Sequence, residues 1–245
     1  MRAMSSQTLA RRAAPDPRRA TAPSARAASD ATIVAPDVDL RPPHQEALIG
    51  HSWRKRSFDF AFALIVLVVL APTLLLIALL VKLETGGPAL YRQQRTGYQG
   101  RIFTIYKFRT MSVMEDSSSV RQATVGDSRV TRVGAVLRRL SLDELPQLAN
   151  VLRGDMSLIG PRPHALAHDN FYAAHIENYP QRFLARPGLT GLAQVNGLRG
   201  ETRQVDCMRQ RVDADCEYIR RWSFRLDLLI LARTVPLLFK DPRAY

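Results

Sequence analysis

Residues 60–81 read FAFALIVLVVLAPTLLLIALLV, a run of 22 residues without a charge between Asp59 and Lys82. A straight α-helix rises 1.5 Å per residue, so the run would cover about 33 Å, close to the thickness of a bilayer's hydrocarbon core. A helix buried in a soluble core is the alternative, but a run that is apolar on every side has nowhere to hide inside so small a protein. The run therefore predicts a membrane anchor.

Pro72 lies near the middle of this run and predicts a break in the helix, because proline removes a backbone donor and clashes with the preceding turn. Both flanks are basic, with Arg54, Lys55 and Arg56 before the run and Lys82 after it. Because Lys and Arg beside apolar segments tend to stay cytoplasmic, these flanks predict a re-entrant hairpin that enters and leaves one leaflet. A kinked spanning helix is the alternative, and the charge rule alone ranks the two equal.

The chain is strongly basic, with 35 Lys and Arg against 22 Asp and Glu among its 245 residues and a formal net charge of +13. This charge predicts an anionic partner: nucleic acid, a membrane surface or a phosphorylated substrate. The sequence has no nucleic-acid reading motif and no aromatic stacking platform, so we expect no nucleic-acid partner. Its two cysteines, Cys207 and Cys216, lack metal-type spacing, which is typical of a reducing compartment.

Residues 86–245 have the pattern of one small domain that is mainly helical with short strands. ALYRQQR (89–95) and RIFTIYKFRTM (101–111), separated by a turn around Gly97 and Gly100, predict two strands. Apolar residues at helical spacing predict three helices. These residues are Val133, Val136, Leu137 and Leu140; Leu145, Leu148, Val151 and Leu152, before Gly154; and Val205, Met208, Val212, Cys216 and Ile219. The last helix places Cys216 in the core, and Cys207 is expected there by the same reasoning.

The two ends of the chain differ in composition. Residues 1–50 are rich in Ala, Arg, Pro and Ser and poor in large apolar residues, which predicts a disordered tail. Residues 226–239 are apolar but interrupted by Asp227, Arg233 and Pro236, so they are too short and too charged to span a bilayer. They predict an interfacial amphipathic helix, and packing against the domain's own core stays open because length does not separate the two.

Asp143 and Glu144 form the centre of the most densely charged part of the sequence. Both fall at the predicted start of a helix, and Ser141 and Glu144 match the S-x-x-E pattern of a capping box, which is the simpler interpretation. Nearby cations favour a phosphate site instead, because arginines beside carboxylates suit a diphosphate with a bridging divalent cation. These cations are Arg138 and Arg139, Lys107 and Arg109 in KFRTM, and Arg162 in GPRP.

Four motifs follow the proline-broken anchor in a fixed order: KFRTM (107–111), LRRLSLDELPQL (137–148), GDMSLIGPRP (154–163) and RPGLTGLAQVNGLRGET (186–202). Together they resemble the bacterial sugar transferases, which are monotopic polyprenyl-phosphate hexose-1-phosphate transferases. The resemblance covers roughly Arg54 to Tyr245, and the combination is far more specific than any single motif.

The resemblance implies roles for individual residues. Asp143 is the expected nucleophile: its carboxylate attacks the sugar-proximal phosphorus of a UDP-sugar, expels UMP and holds the phosphosugar until the polyprenyl phosphate takes it. Glu144 is the expected Mg²⁺ ligand, and neighbouring α-helical residues point about 100° apart, so one carboxylate can face the phosphorus and the other the metal. The expected substrate-binding residues are Arg138, which matches the family's phosphate-binding arginine, and Lys107, Arg162 and Asp215, which fall at other active-site positions. Arg109, the other cation of KFRTM, is also expected to bind substrate.

The resemblance also implies a substrate. GPRPHALAH (160–168) and NGLRGET (196–202) look most like the branch that transfers glucose-1-phosphate to undecaprenyl phosphate and starts exopolysaccharide repeat units. Galactose or an N-acetylhexosamine stays open as the sugar, and so does a non-catalytic membrane scaffold for polysaccharide assembly. Leu192 replaces a tryptophan common in the family, and His164 and His168, at i, i+4 without a third ligand, are expected to be hydrogen-bonded or surface residues.

The expected fold class is α/β (α+β): a small, mainly helical catalytic domain with short strands, anchored by a re-entrant helix and interfacial helices. The expected domains are the tail (1–50), the anchor (51–85) and the cytosolic catalytic domain (86–245). We expect the chain at the bacterial inner membrane, facing the cytoplasm, with UDP-sugar, undecaprenyl phosphate and the membrane as partners. Self-association into a homo-oligomer stays open.

Overall fold

The computed structural model describes residue 49 and residues 52–112, 127–200 and 204–240, without the side chains of 238–240. The predicted tail lies outside these ranges except for Ile49, which is buried. The helices are α1 (Trp53–Glu84), α2 (Arg132–Arg139), α3 (Leu148–Arg153), α4 (Leu166–Ala173), α5 (Leu192–Val195), α6 (Val205–Arg220) and α7 (Phe224–Lys240). The strands are β1 (Leu90–Thr96), β2 (Ile102–Phe108), β3 (Ser157–Ile159) and β4 (Gly188–Thr190), and 3-10 turns cover Tyr98–Gly100, Leu142–Gln147 and Tyr179–Leu184.

The described residues form two small sheets, whose strands lead to the motifs quoted from the sequence. Strands β1 and β2 pair antiparallel, with Leu90 opposite Phe108 and Thr96 opposite Ile102, as the sequence predicts. Strands β3 and β4 pair parallel and were not predicted, because three residues each are too few to show an alternating pattern. Gly188 is required there, since a Cβ on it would come within 2.1 Å of the backbone nitrogen of Gly160.

The core lies between α3, β3, α6 and α7, and the N-terminal half of α1 packs against it. Its buried members include Leu148, Val151, Ile159, Ile219 and Ile230. The predicted apolar face of α6 is confirmed, because all five of its residues are buried. Cys216 on that face is a core residue as predicted, whereas Cys207 is exposed, so the prediction for Cys207 was wrong.

Helix α1 contains the apolar run and continues on both sides of Pro72. Within the described part of the chain it is the one helix long and apolar enough to cross a membrane, with a mean hydropathy of 3.2 over its most apolar window. Only 11% of that window is buried, which is far less than a core helix of a soluble protein requires. An apolar surface of this size marks a contact with lipid or protein.

The N-terminal end of α1 is fixed to the domain by buried charges. Lys55 donates to Asp227 of α7 at 2.7 Å, and Tyr218 also donates to that carboxylate at 2.7 Å. One turn along α1, Asp59 accepts from the hydroxyl of Ser157 at 2.7 Å. Burial of these charges is tolerated because Lys55 and Asp227 are paired with each other and Asp59 accepts hydrogen bonds from Ser157 and the backbone of Leu158.

The C-terminal end of α1 is fixed to another part of the same domain. Ile77 and Val81 pack with Phe108 of β2 and Leu137 of α2. Arg109 donates to the carbonyls of Thr85 and Gly86, which end the helix. Such bonds satisfy carbonyls that a helix terminus leaves without an intrahelical partner. Both ends of the apolar helix are therefore attached to one folded domain.

Helix α7 both packs on the core and exposes an apolar face, which were the two alternatives for residues 226–239. It buries Asp227 and Ile230 against the core. Its other side exposes large apolar residues, namely Phe224, Leu228, Leu229 and Val235. The helix therefore packs on the domain through one face and leaves an apolar face that suits an interface.

We predict that Asp227→Asn destabilises the protein by about 3–5 kcal/mol, because it leaves the buried Lys55 ammonium without its counter-charge. Thermal unfolding of the full chain in detergent micelles measures the effect. Glu217→Gln is the matched control, since Glu217 pairs with Arg221 on the surface at 2.7 Å and such pairs contribute at most about 1 kcal/mol. Equal losses in the two variants would contradict the assigned role of Asp227.

Candidate active site

Asp143 and Glu144 lie on the 3-10 turn Leu142–Gln147, not on an α-helix as the sequence analysis assumed. The turn starts at Ser141, whose φ of 56° is in the left-handed region, and it contains Pro146. A 3-10 turn has three residues per turn, so the two side chains diverge by about 120° rather than 100°. The wider angle separates the surroundings of the two carboxylates further.

The capping box, the simpler interpretation of Ser141 and Glu144, does not form. The Ser141 side chain makes no capping hydrogen bond to the turn, and its hydroxyl accepts from Arg199 at 2.8 Å. The Glu144 carboxylate does not return to Ser141 but accepts from cations on other segments. The carboxylates therefore do not serve helix capping, the simpler interpretation of the pattern.

Glu144 is buried and paired with two cations. Its Oε1 accepts from Lys107 Nζ at 2.9 Å, its Oε2 accepts from Arg162 Nη1 at 3.1 Å, and Arg162 Nη2 also donates to Oε1. Burial alone would raise the pKa of Glu144, but Arg162 and Lys107 together hold it well below the ordinary value. Glu144 is therefore an anion that joins β2, the 3-10 turn and the GPRP segment.

Asp143, in contrast, is half-buried. In the part of the chain that the structure describes, no group donates a hydrogen bond to its carboxylate. Burial and the neighbouring Glu144 raise the pKa of Asp143 to about 6, against the opposing effects of Lys107, Arg138 and Arg162. A carboxylate without partners, surrounded by cations, is available to attack an electrophile.

The structure brings together three of the five predicted substrate-binding residues. Lys107 and Arg162 bind Glu144 directly, and Arg138 on α2 is close enough to lower the pKa of Asp143. Arg109 does not join them, because its guanidinium is buried and hydrogen-bonded to the carbonyls at the end of α1. Lys107 lies within β2, whereas Arg109 follows the last residue of that strand, Phe108, so the pleat of the strand does not set the direction of its side chain.

Asp215 also lies apart from the cluster. It is buried on α6 and pairs with Arg182, whose Nε lies 2.8 Å from its Oδ2. Arg182 in turn donates to the backbone carbonyl of Arg162 at 2.6 Å, so Asp215 reaches the site only through Arg182. Direct contact of Asp215 with substrate stays a prediction.

Three arginines near the site were missed by the sequence analysis. Arg199 reaches Ser141, Arg95 on β1 donates to the carbonyl of Pro163 at 3.5 Å, and Arg182 holds Arg162. Arg199 lies within RPGLTGLAQVNGLRGET and Arg182 lies four residues before it, and that position was the available signal. In a chain with 35 Lys and Arg, however, position alone does not separate site cations from solvated ones.

The donor set fits a magnesium ion that also contacts a substrate phosphate. No group of three or more His, Cys, Asp and Glu forms among the residues with described positions. Mg²⁺ does not need one, since it usually keeps several waters and takes one or two carboxylates plus phosphate oxygens. A carboxylate has about four acceptor sites, and Glu144 uses three of them, which leaves one on Oε2.

His164 is hydrogen-bonded, as the sequence analysis expected. Its Nδ1 lies 2.9 Å from the hydroxyl of Tyr179, and burial together with the nearby Arg182 holds its pKa well below the ordinary value. A neutral, buried imidazole in a hydrogen-bond network explains His164 without a metal.

Comparisons with known proteins identify the family of this chain. A family model described as bacterial sugar transferase matches residues 50–241. The UDP-glucose:undecaprenyl-phosphate glucose-1-phosphate transferase of Caulobacter vibrioides is 56% identical over 206 residues, which are 84% of this chain and 77% of that protein.

Two further relatives differ in length. The protein of the same name from Escherichia coli is 50% identical over 191 residues, 78% of this chain and 41% of that protein. Exopolysaccharide production protein PSS of Rhizobium leguminosarum bv. phaseoli is 46% identical over 185 residues, 74% of this chain and 92% of that protein. The chain thus spans well under half of the E. coli relative and nearly all of the Rhizobium one. From the match over 50–241 and the 56% identity, the chain belongs to the bacterial sugar transferase family.

Proposed function

We propose that this protein transfers glucose-1-phosphate from UDP-glucose to undecaprenyl phosphate, releases UMP and so begins the synthesis of an exopolysaccharide repeat unit. The observation that carries the proposal is the Asp143 carboxylate, which accepts no hydrogen bond from the described residues and lies near the cations Lys107, Arg138 and Arg162. The names of the relatives from Caulobacter vibrioides and Escherichia coli supply the substrates, and that of the Rhizobium relative supplies the pathway class.

The reaction consists of two displacements at one phosphorus. An oxygen of Asp143 attacks the sugar-proximal phosphorus of the UDP-sugar, the bond from that phosphorus to the bridging oxygen breaks, and UMP leaves with the electron pair. A phosphate oxygen of undecaprenyl phosphate then attacks the same phosphorus and expels Asp143. The product is the lipid diphosphate sugar, and the carboxylate is regenerated.

The cations of the site suit the charge that develops in such a transfer. Phosphoryl transfer depends mostly on positioning and electrostatic stabilisation. Arg162 is fixed by its double contact with Glu144, and Arg138 lies near Asp143 from α2. We assign these two guanidinium groups to the non-bridging oxygens of the diphosphate, because the planar fork of arginine matches phosphate geometry.

Mg²⁺ is the proposed cofactor, and Glu144 with its remaining acceptor site is the proposed protein ligand. When bound, Mg²⁺ would neutralise charge on the diphosphate and the leaving UMP. Lys107 and Arg162 keep Glu144 ionised and so preserve its ability to bind a cation.

Helix α1 is proposed to enter and leave one leaflet of the inner membrane, with the catalytic domain on the cytoplasmic side. The support is that Lys55 and Asp59 near one end and Val81 near the other contact the same folded domain. A helix that crosses the bilayer would put its ends on opposite sides, about 30 Å apart. The exposed apolar face of α7 adds a second contact at headgroup depth.

A non-catalytic scaffold is the rival from another class. A scaffold that binds anionic lipid needs surface cations, but it does not need a half-buried, unbonded aspartate whose pKa is raised to about 6. Such perturbed groups are concentrated at catalytic sites.

We predict that Asp143→Asn abolishes turnover, lowering kcat by about a thousandfold or more, because the amide is not a nucleophile. The assay is UMP release from UDP-glucose by the full chain in detergent with undecaprenyl phosphate, with Mg²⁺ and after its chelation. Asp206→Asn, at an exposed position on α6, is the control and should retain activity. Label from a radioactive donor should appear on residue 143 of the wild type, and turnover without any label there would overturn the mechanism.

We predict that UDP-glucose has the highest kcat/KM in a panel with UDP-galactose and UDP-N-acetylhexosamines, by about tenfold or more. A site that hydrogen-bonds the hydroxyl groups of one sugar rejects analogues that misplace them or add an amide. UMP release scores each donor at equal concentration. A preference for an N-acetylhexosamine would keep the reaction type and replace the proposed sugar.

We predict that single cysteines at positions 53 and 86 are accessible from the same side of the membrane. Trp53 is exposed and Gly86 has open space around it, so Trp53→Cys and Gly86→Cys should fold. The exposed Cys207 is first replaced by serine. A membrane-impermeant reagent should label both positions only after the cells are opened, and a Val69→Cys control should stay unlabelled. Labelling from opposite sides would rule out the hairpin.

A further inference from the structure

The backbone of the GPRP segment is fixed at three consecutive carbonyls. The carbonyl of Pro161 accepts from Gly188 N at 2.9 Å, that of Arg162 from Arg182 Nη2 at 2.6 Å, and that of Pro163 from Arg95 Nη1 at 3.5 Å. The two prolines have no N–H, so the segment has few donors of its own for a hydrogen-bonded turn. Its conformation therefore depends on groups from outside.

Arg182 supplies the shortest of these three bonds from a buried position. Besides Arg162, its guanidinium contacts Asp215 at 2.8 Å, the Tyr179 hydroxyl at 3.0 Å and His164 Nδ1 at 3.0 Å. A planar guanidinium with bonds in several directions has a fixed orientation, and lysine cannot reproduce that geometry. The direction of the Nη2 group toward Arg162 is thus set by the other contacts.

Asp215 provides the counter-charge that makes this arrangement tolerable. It is 2% exposed, and its Oδ2 accepts from Arg182. A buried arginine without a paired carboxylate is strongly unfavourable. Burial raises the pKa of Asp215 above its ordinary value, and Arg182, whose Nε lies 2.8 Å from its Oδ2, opposes this effect.

We infer that Asp215 and Arg182 are positioning residues that hold the Arg162 backbone so that its guanidinium meets Glu144 and the substrate diphosphate. The inference rests on the proposed function for the substrate it names. It assigns Asp215 an indirect action through two arginines, in place of the direct substrate contact that the family resemblance implied.

The test compares Asp215→Asn and Arg182→Lys with a matched control, Asp227→Asn, which alters a buried ion pair without a bond to the GPRP segment. All three are assayed as full chains for UMP release, at temperatures where each is folded. We expect the first two to lower kcat by about 10- to 100-fold, because a small misplacement of a positioning group has effects of this size. Asp227→Asn should keep kcat within about twofold of the wild type. Losses in kcat that follow thermal stability across all three variants would overturn the inference.

A double-mutant cycle separates positioning from an independent role. In an Arg162→Ala background, Asp215→Asn should lower kcat by less than about threefold, because nothing is left for the pair to position. An equal factor in both backgrounds would mean that Asp215 acts without Arg162.

The side-chain Nε–H resonance of Arg162 gives a readout that does not require turnover. It should be resolved in the wild type and in Asp227→Asn, and averaged toward the free-arginine position in Asp215→Asn. An unchanged resonance in Asp215→Asn overturns the inference whatever the activity. A responsive resonance in a wild type that releases no UMP contradicts the proposed function and leaves the positioning role intact.

Discussion

The ion pairs of Glu144 with Lys107 and Arg162 are the contact on which the site depends. Lys107 lies 37 residues before Glu144, and Arg162 lies 18 residues after it. The two pairs therefore join a strand, a 3-10 turn and a loop between prolines. Because the anion is buried, separating these segments would leave charges without partners in a poorly solvated place. Lys107 and Arg162 donate hydrogen bonds to Glu144, and within the described residues neither donates one to Asp143. One carboxylate thus organises the site while its neighbour stays available for chemistry.

The same physical solution recurs where the anchor meets the domain. Lys55 and Asp227 are buried together, with Tyr218 and Trp222 also donating to the carboxylate. Buried pairs add little net stability compared with apolar packing, but they specify which groups must meet. At this junction the pair fixes the N-terminal end of α1 against α7, whose other face is apolar. The apolar helix is therefore attached to the domain by charged contacts as well as by packing.

Sequence patterns predicted most of this architecture. The β1–β2 pair and the apolar face of α6 follow from residue periodicity and turn signals, which act locally. The pattern could not show that Ser141 adopts a left-handed conformation, because that depends on its tertiary surroundings, which include Arg199. It also could not separate Lys107 from Arg109: both are cations in KFRTM, and only the path of β2 past the end of α1 decides that one binds Glu144 and the other the helix carbonyls.

Two adjacent carboxylates can perform different tasks only if their surroundings shift their pKa values apart. Here the two pKa values differ because Lys107 and Arg162 donate hydrogen bonds to Glu144 but act on Asp143 only through space. In the proposed mechanism, a nucleophile held by the same direct bonds would be weaker, and its ester with a phosphosugar would lose those bonds as it formed. Asp143, which accepts no hydrogen bond among the described residues, avoids both costs. The 3-10 geometry of Leu142–Gln147 turns these two consecutive side chains about 120° apart, which widens the separation that an α-helix would give.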